Sequence, residues 1–87
     1  LSRRVYVAGA PYGVATDETR KRLWVTLTAR NELVEFGLHG RPHILQRIPT
    51  VRQPNSVAVD PESGDVLVAG RTEGQLQLLA NPASPDR

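Results

Sequence analysis

The sequence predicts an all-β protein built from two copies of one repeat unit. Residues 11–17 (PYGVATD) return forty-three positions later as residues 54–60 (PNSVAVD), with no gap between the copies. The 44 residue pairs at this spacing include eight identities, which fall on turns and on apolar strand positions. Apolar side chains alternate with others over short runs, which is the period of a β-strand and not of a helix.

One strand is predicted at the centre of each repeat. In residues 22–28, Leu23 and Val25 share one side of a strand and Trp24 lies on the other, and residues 65–70 repeat this pattern. Because both faces carry apolar groups, we expect each strand to belong to a sheet that is covered on both sides.

The other elements follow from the same alternation and from turn residues. Turns are expected at Asp60–Asp65, where Gly64 supplies a positive φ, and at the tight hairpins Thr28–Asn31 and Thr72–Gly74. No helix is predicted. The remaining predicted strands are 3–8, 14–17, 32–36, 43–49, 57–60 and 75–79.

Four strands in forty-three residues match the length of one β-propeller blade, a four-stranded antiparallel sheet. We therefore place two propeller repeats in residues 1–80, at a period that divides the chain into 1–43 and 44–86. A flexible C-terminal tail is expected at 81–87. The chain opens on an outer-type strand and stops one strand short. It is interpreted as a two-blade fragment of a six- to eight-bladed ring, or as a protomer of which three copies build six blades.

Composition narrows the classes of partner. The chain has no Cys and no Met, the latter as expected of a processed product or a piece of a longer protein. No apolar run approaches a membrane span, and the basic residues are spread out, so neither membrane insertion nor nucleic-acid binding is predicted.

Residues 1–53 carry nine Arg/Lys and four Asp/Glu (+5), and residues 54–87 carry two and five (−3). This asymmetry favours either head-to-tail contact between modules or simple divergence of solvated surfaces.

The repeat motif resembles NHL and YVTN propeller repeats. The likeness rests on residues 11–17 followed by Arg22–Thr26, and on residues 54–60 followed by 65–70. One departure is Ser56, which stands where Gly13 keeps the usual glycine. Independently of the family, Pro11 and Pro54 fix φ and lack an N–H, which suits the entry to a short innermost strand.

The resemblance implies a binding surface at one end of the propeller axis, for a protein or a small-molecule ligand. The residues expected there are Tyr12, Arg30, Arg52 and Asn55, which offer an aromatic face and hydrogen-bond donors. His39 and His43 form no convincing metal pair, because Pro42 excludes a helix between them and no acidic residue accompanies them.

The sequence favours a non-catalytic scaffold without a cofactor over an enzyme. By resemblance we expect a bacterial protein of the extracellular space or the cell envelope. The alternative is a propeller enzyme, similar to streptogramin lyases or lactonases, with a divalent metal at the axis. That metal would need ligands such as Asp17 and Asp60, which are better explained as turn formers.

Overall fold

The computed structural model describes residues 11–70 and 74–85, and in this part of the chain the predicted all-β architecture is confirmed. Seven strands form two antiparallel sheets, joined in simple sequential order. The strand predicted at 3–8 and most of the hairpin Thr72–Gly74 lie outside the described residues. The first sheet contains β1 Pro11–Asp17, β2 Arg22–Leu27, β3 Glu32–Gly37 and β4 His43–Pro49; the second contains β5 Pro54–Val59, β6 Val66–Gly70 and β7 Leu76–Leu79.

Strand register aligns the repeat in three dimensions. Across the first sheet, Ala15 pairs with Trp24, Trp24 with Glu35 and Glu35 with Gln46. The corresponding row of the second sheet is Ala58, Leu67 and Leu78. Residues paired directly across antiparallel strands share a face, so each row marks one face of its sheet.

The two sheets stack face to face around one apolar cluster. Trp24 and Leu33 of the first sheet pack with Val66 and Val68 of the second, and all four are at most 1% exposed. The opposite face of the first sheet is buried as well, through Val25, Leu27, Val34 and Phe36. The first sheet is therefore covered on both faces, as its double-sided apolar pattern predicts.

For the second sheet the expectation of two covered faces is wrong, because one face lies against the first sheet and the other is exposed. We call the latter the open face, because it carries large apolar side chains in contact with solvent. Leu76 and Leu78 are each 68% exposed and Leu67 is 41% exposed. The face is formed by Ala58, Leu67, Ala69, Leu76 and Leu78.

The turns use the backbone conformations that their residues allow. Gly64 has φ +83° and donates its N–H to the Asp60 carbonyl at 2.8 Å, as expected for the turn at 60–65. Between β2 and β3 a short 3₁₀ turn, Thr28–Arg30, ends at Asn31 in the left-handed region. Among the described residues no helix is long and apolar enough to cross a membrane.

At Gly13 the innermost strands, β1 and β5, approach each other closely. A Cβ at this position would lie 2.9 Å from Thr26 Oγ1 and 3.0 Å from both the Asn55 carbonyl oxygen and Ser56 Cα. Ser56, at the same position of the second repeat, is exposed. The difference explains why glycine is needed at one copy of the motif and dispensable at the other.

Replacing Gly13 with alanine should therefore lower the free energy of unfolding by about 1–3 kcal/mol, because backbone atoms must shift to admit the methyl group. Urea unfolding followed by Trp24 fluorescence measures the change. Ser56→Ala is the matched control and should change stability by less than about 0.5 kcal/mol. Equal effects of the two substitutions would show that β1 and β5 do not approach as described.

Candidate functional site

The four residues predicted to bind a ligand lie at one end of the stacked sheets. Tyr12 and Asn55 are the second residues of β1 and β5, the two innermost strands. Arg30 lies in the 3₁₀ turn after β2, and Arg52 lies in the connection from β4 to β5. Since β1 and β5 start where β2 and β4 end, these positions share an edge.

Hydrogen bonds between the two sheets hold this end together. Thr28 Oγ1 donates to the Pro54 carbonyl at 2.7 Å. Asn31 Oδ1 accepts the Gln53 N–H at 2.7 Å, and its carbonyl accepts the Thr50 N–H at 2.9 Å. The turn that carries Arg30 is thus fastened to the connection that carries Arg52.

The four side chains at this end are exposed or half-buried. Tyr12 is 65% exposed, Arg30 and Arg52 are exposed, and Asn55 is half-buried. Together they offer an aromatic ring, a carboxamide and two guanidinium groups that can donate to carboxylate or phosphate oxygens. The ligand-binding role of these four residues stays a prediction.

The histidines lie at the opposite end: His39 is in the connection between β3 and β4, and His43 is the first residue of β4. His39 and His43 are exposed, and His43 Nδ1 lies 2.6 Å from the Arg41 carbonyl oxygen. Within residues 11–70 and 74–85, no three His, Cys, Asp or Glu side chains are grouped to hold a metal ion.

Sequence reasoning missed a buried polar cluster on the face of the first sheet that meets the second. Arg22 Nε donates to Glu35 Oε2 at 2.6 Å, and Gln46 Nε2 donates to Glu35 Oε1 at 2.7 Å. Glu35 has no exposed surface and Arg22 is 6% exposed. The available signal was the position of Arg22 and Glu35 on the same face as Trp24, where apolar residues are expected.

The cluster also contacts the segment that follows β7. The Ser84 N–H donates to Glu35 Oε1 at 3.0 Å and to Glu35 Oε2 at 3.1 Å. Gln46 Nε2 donates to the Pro82 carbonyl at 2.6 Å. Residues 82–84, which we call the docked segment, therefore cross from the second sheet onto the first. The flexibility predicted for 81–87 stays a prediction.

Arg20 provides a second link between the sheets. Its guanidinium pairs with Asp17 Oδ2 at 3.0 Å and donates to the carbonyls of Pro61 and Glu62 at 3.1 Å each. Asp17 is only 1% exposed. The second repeat has Ser63 at the position of Arg20.

The open face extends to an edge of the second sheet that carries Asp60 and Asp65. It includes a shallow depression of about 350 Å³ with an apolar floor and two carboxylates at its rim. Asp60 Oδ1 accepts the Glu62 N–H and Asp65 Oδ1 accepts the Asn81 N–H. The depression is lined by Ala58, Val59, Asp60, Asp65, Leu67 and Leu78.

Comparison with known proteins supports the fold. No protein-family model matches the chain, and no curated protein matches its sequence. Among solved structures, hydrazine synthase of Kuenenia stuttgartiensis is similar over 87% of this chain, with a TM-score of 0.75 and 17% identity. The β-propeller domain of Cps50 (Swd1) from Myceliophteria thermophila is similar over 80%, with a TM-score of 0.72 and 13% identity.

The chain spans 28% of the hydrazine synthase chain and 22% of the Swd1 chain. At these identities the likeness shows the fold alone. The fold is that of a partial β-propeller: the first sheet is one complete four-stranded blade, and the second sheet supplies three strands of the next.

Proposed function

We propose that this chain is part of a non-catalytic β-propeller scaffold of the NHL/YVTN type. In this proposal the open face packs against a further propeller blade, from a longer chain or from a second copy. A protein or small-molecule ligand binds at the end of the axis that carries Tyr12, Arg30, Arg52 and Asn55. The repeat motif supports the family assignment, and a place outside the cell or in its envelope rests on that resemblance only.

One observation carries the proposal. The repeat counterparts of Leu67, Leu76 and Leu78 are Trp24 and Leu33, buried under the second sheet, and Glu35, buried under the docked segment. The same strand positions are thus covered in one repeat and exposed in the next. Burial of apolar surface favours association by roughly 25 cal/mol per Å² removed from water, so this face favours a covering blade.

The charges support a head-to-tail arrangement of copies. The open face is bordered by Asp60 and Asp65, in the half of the sequence with net charge −3. The other half carries +5, and opposite charges across an interface steer and orient association. In a solution of this chain, the covering blade comes from a second copy.

Light scattering of the 87-residue chain tests the proposal. We expect a mass that rises with protein concentration above the 9.6 kDa protomer, toward three protomers, and that falls as salt screens the charges. Leu78→Glu places a charge on the open face and should keep the chain at one protomer.

Ala29→Glu is the matched control, because Ala29 is exposed in the turn after β2 and lies on neither face of the two sheets. It should associate as the unaltered chain does. A folded, monodisperse protomer at every concentration would contradict assembly from copies, and equal effects of the two substitutions would contradict the assignment of the face.

A further inference from the structure

The docked segment is held on the first sheet through its backbone. The Ser84 N–H donates to both oxygens of the Glu35 carboxylate, and Arg22 Nη2 donates to the Ser84 carbonyl at 2.5 Å. Gln46 Nε2 donates to the Pro82 carbonyl at 2.6 Å. A carboxylate and a guanidinium thus bind the N–H and the C=O of one residue, which is recognition of peptide backbone and not of a particular side chain.

The groups that bind the segment are positioned by the first sheet itself. Glu35 is fixed by Arg22 Nε and by Gln46 Nε2, at 2.6 Å and 2.7 Å. Arg22 Nη1 donates to the backbone carbonyls of Arg20 and Lys21. Because these contacts lie within the first sheet, the site is organised by residues other than those it binds. Such preorganisation lowers the entropic cost of binding.

The contacts define which peptides fit. Ala83 is half-buried and packs against the apolar cluster that contains Trp24 and Val66, so the site favours a small apolar residue at that position. The next residue must carry an N–H for Glu35, which excludes proline there. The residue before needs only its carbonyl, and Pro82 meets this requirement. The compatible ligand is an extended peptide of three residues. It carries any residue at the place of Pro82, a small residue at that of Ala83 and any residue except proline at that of Ser84.

We propose that this groove between the two sheets is a peptide-docking site, occupied here by residues 82–84, that also accepts such an extended segment from another polypeptide. The site lies at the opposite end from Tyr12 and Arg52 and does not depend on the open face. It therefore goes beyond the scaffold function proposed above.

The full chain with Ala83→Arg provides the test. Ala83 is half-buried against the apolar cluster, and a long charged side chain there disrupts this packing, so the docked segment should leave the groove and free it. A capped peptide of residues 80–85 (ANPASP) is then titrated into the variant. Trp24, the single tryptophan and a member of the cluster against which Ala83 packs, reports binding by its fluorescence.

The matched control is the same peptide methylated on the serine nitrogen, which removes the N–H donated to Glu35 and keeps every side chain. We expect saturable binding of the unmodified peptide and affinity at least about tenfold lower for the methylated one, as for loss of a hydrogen bond to a charged group. A folded variant that binds neither peptide, or both equally, would overturn the proposal.

If circular dichroism shows that Ala83→Arg does not fold, the unaltered chain answers the same question. Excess capped peptide should displace the docked segment and speed hydrogen exchange at the Ser84 amide, while the Val66 amide in the core is unaffected. No change at Ser84 would overturn the proposal. Neither readout depends on the solution mass. A negative result here therefore leaves the scaffold proposal standing, and a negative result in light scattering leaves this inference standing.

Discussion

Replacing Glu35 with alanine is expected to lower the free energy of unfolding by about 3–5 kcal/mol, because it leaves Arg22 buried without its carboxylate. The same change removes the acceptor of the Ser84 N–H and of one Gln46 donor. A domain of this size is stable by roughly 5–10 kcal/mol, so the variant should be close to unfolding at room temperature. Urea unfolding monitored by Trp24 fluorescence measures the loss.

Two comparisons separate burial from charge. Glu32 lies on the same strand and pairs with Arg47 at 3.3 Å, but both side chains are partly exposed. Glu32→Ala should therefore cost less than about 1 kcal/mol. The double substitution Arg22→Met with Glu35→Leu leaves no unpaired charge and should be more stable than Glu35→Ala, since apolar side chains of similar size replace the buried ion pair. Similar losses for Glu35→Ala and Glu32→Ala would contradict the buried cluster.

Trp24→Ala should lower the free energy of unfolding by about 3–5 kcal/mol, through the cavity it leaves between the sheets. Trp24 is 1% exposed and contacts the cluster formed with Leu33, Val66 and Val68. Its Nε1–H is buried and has no hydrogen-bond partner among residues 11–70 and 74–85. Trp24→Phe, which keeps most of the ring and removes this N–H, should cost less than half as much. Circular dichroism replaces fluorescence as the probe.

The repeat supplies the control for this experiment. Leu67 occupies the position of Trp24 in the second sheet, but it lies on the open face. At protein concentrations too low for association, Leu67→Ala should cost less than about 1 kcal/mol. A loss as large as that of Trp24→Ala would mean that the two sheets do not stack through the Trp24 face.

Much of the fold could be predicted because repetition and local chemistry agree. Pro11 and Pro54 start the innermost strands, and Gly64 takes the positive φ that its turn needs. Alternation showed which side chains share a face, but not which sheet covers that face. The exposure of Leu78 and the burial of its counterpart Glu35 therefore could not be derived from the pattern.

The buried polar cluster was missed for a related reason. Glu35 and Arg22 look like ordinary strand charges until the register places them beside each other and under the docked segment. Ser84 is forty-nine positions from Glu35 and contributes backbone atoms, which leave no mark on the residue type. The end that carries Tyr12 and Arg52 was predictable from strand order, because turns at one edge of a meander come together.

The most direct test of whether another blade covers the open face is the reaction rate of a single thiol placed on it. The chain has no cysteine, so Leu67→Cys gives one thiol on the open face and Ala29→Cys gives one in the exposed turn after β2. As protein concentration rises, the thiol at position 67 should react progressively more slowly and the thiol at position 29 at a constant rate. The same concentration dependence at both positions would contradict docking of a further blade on this face.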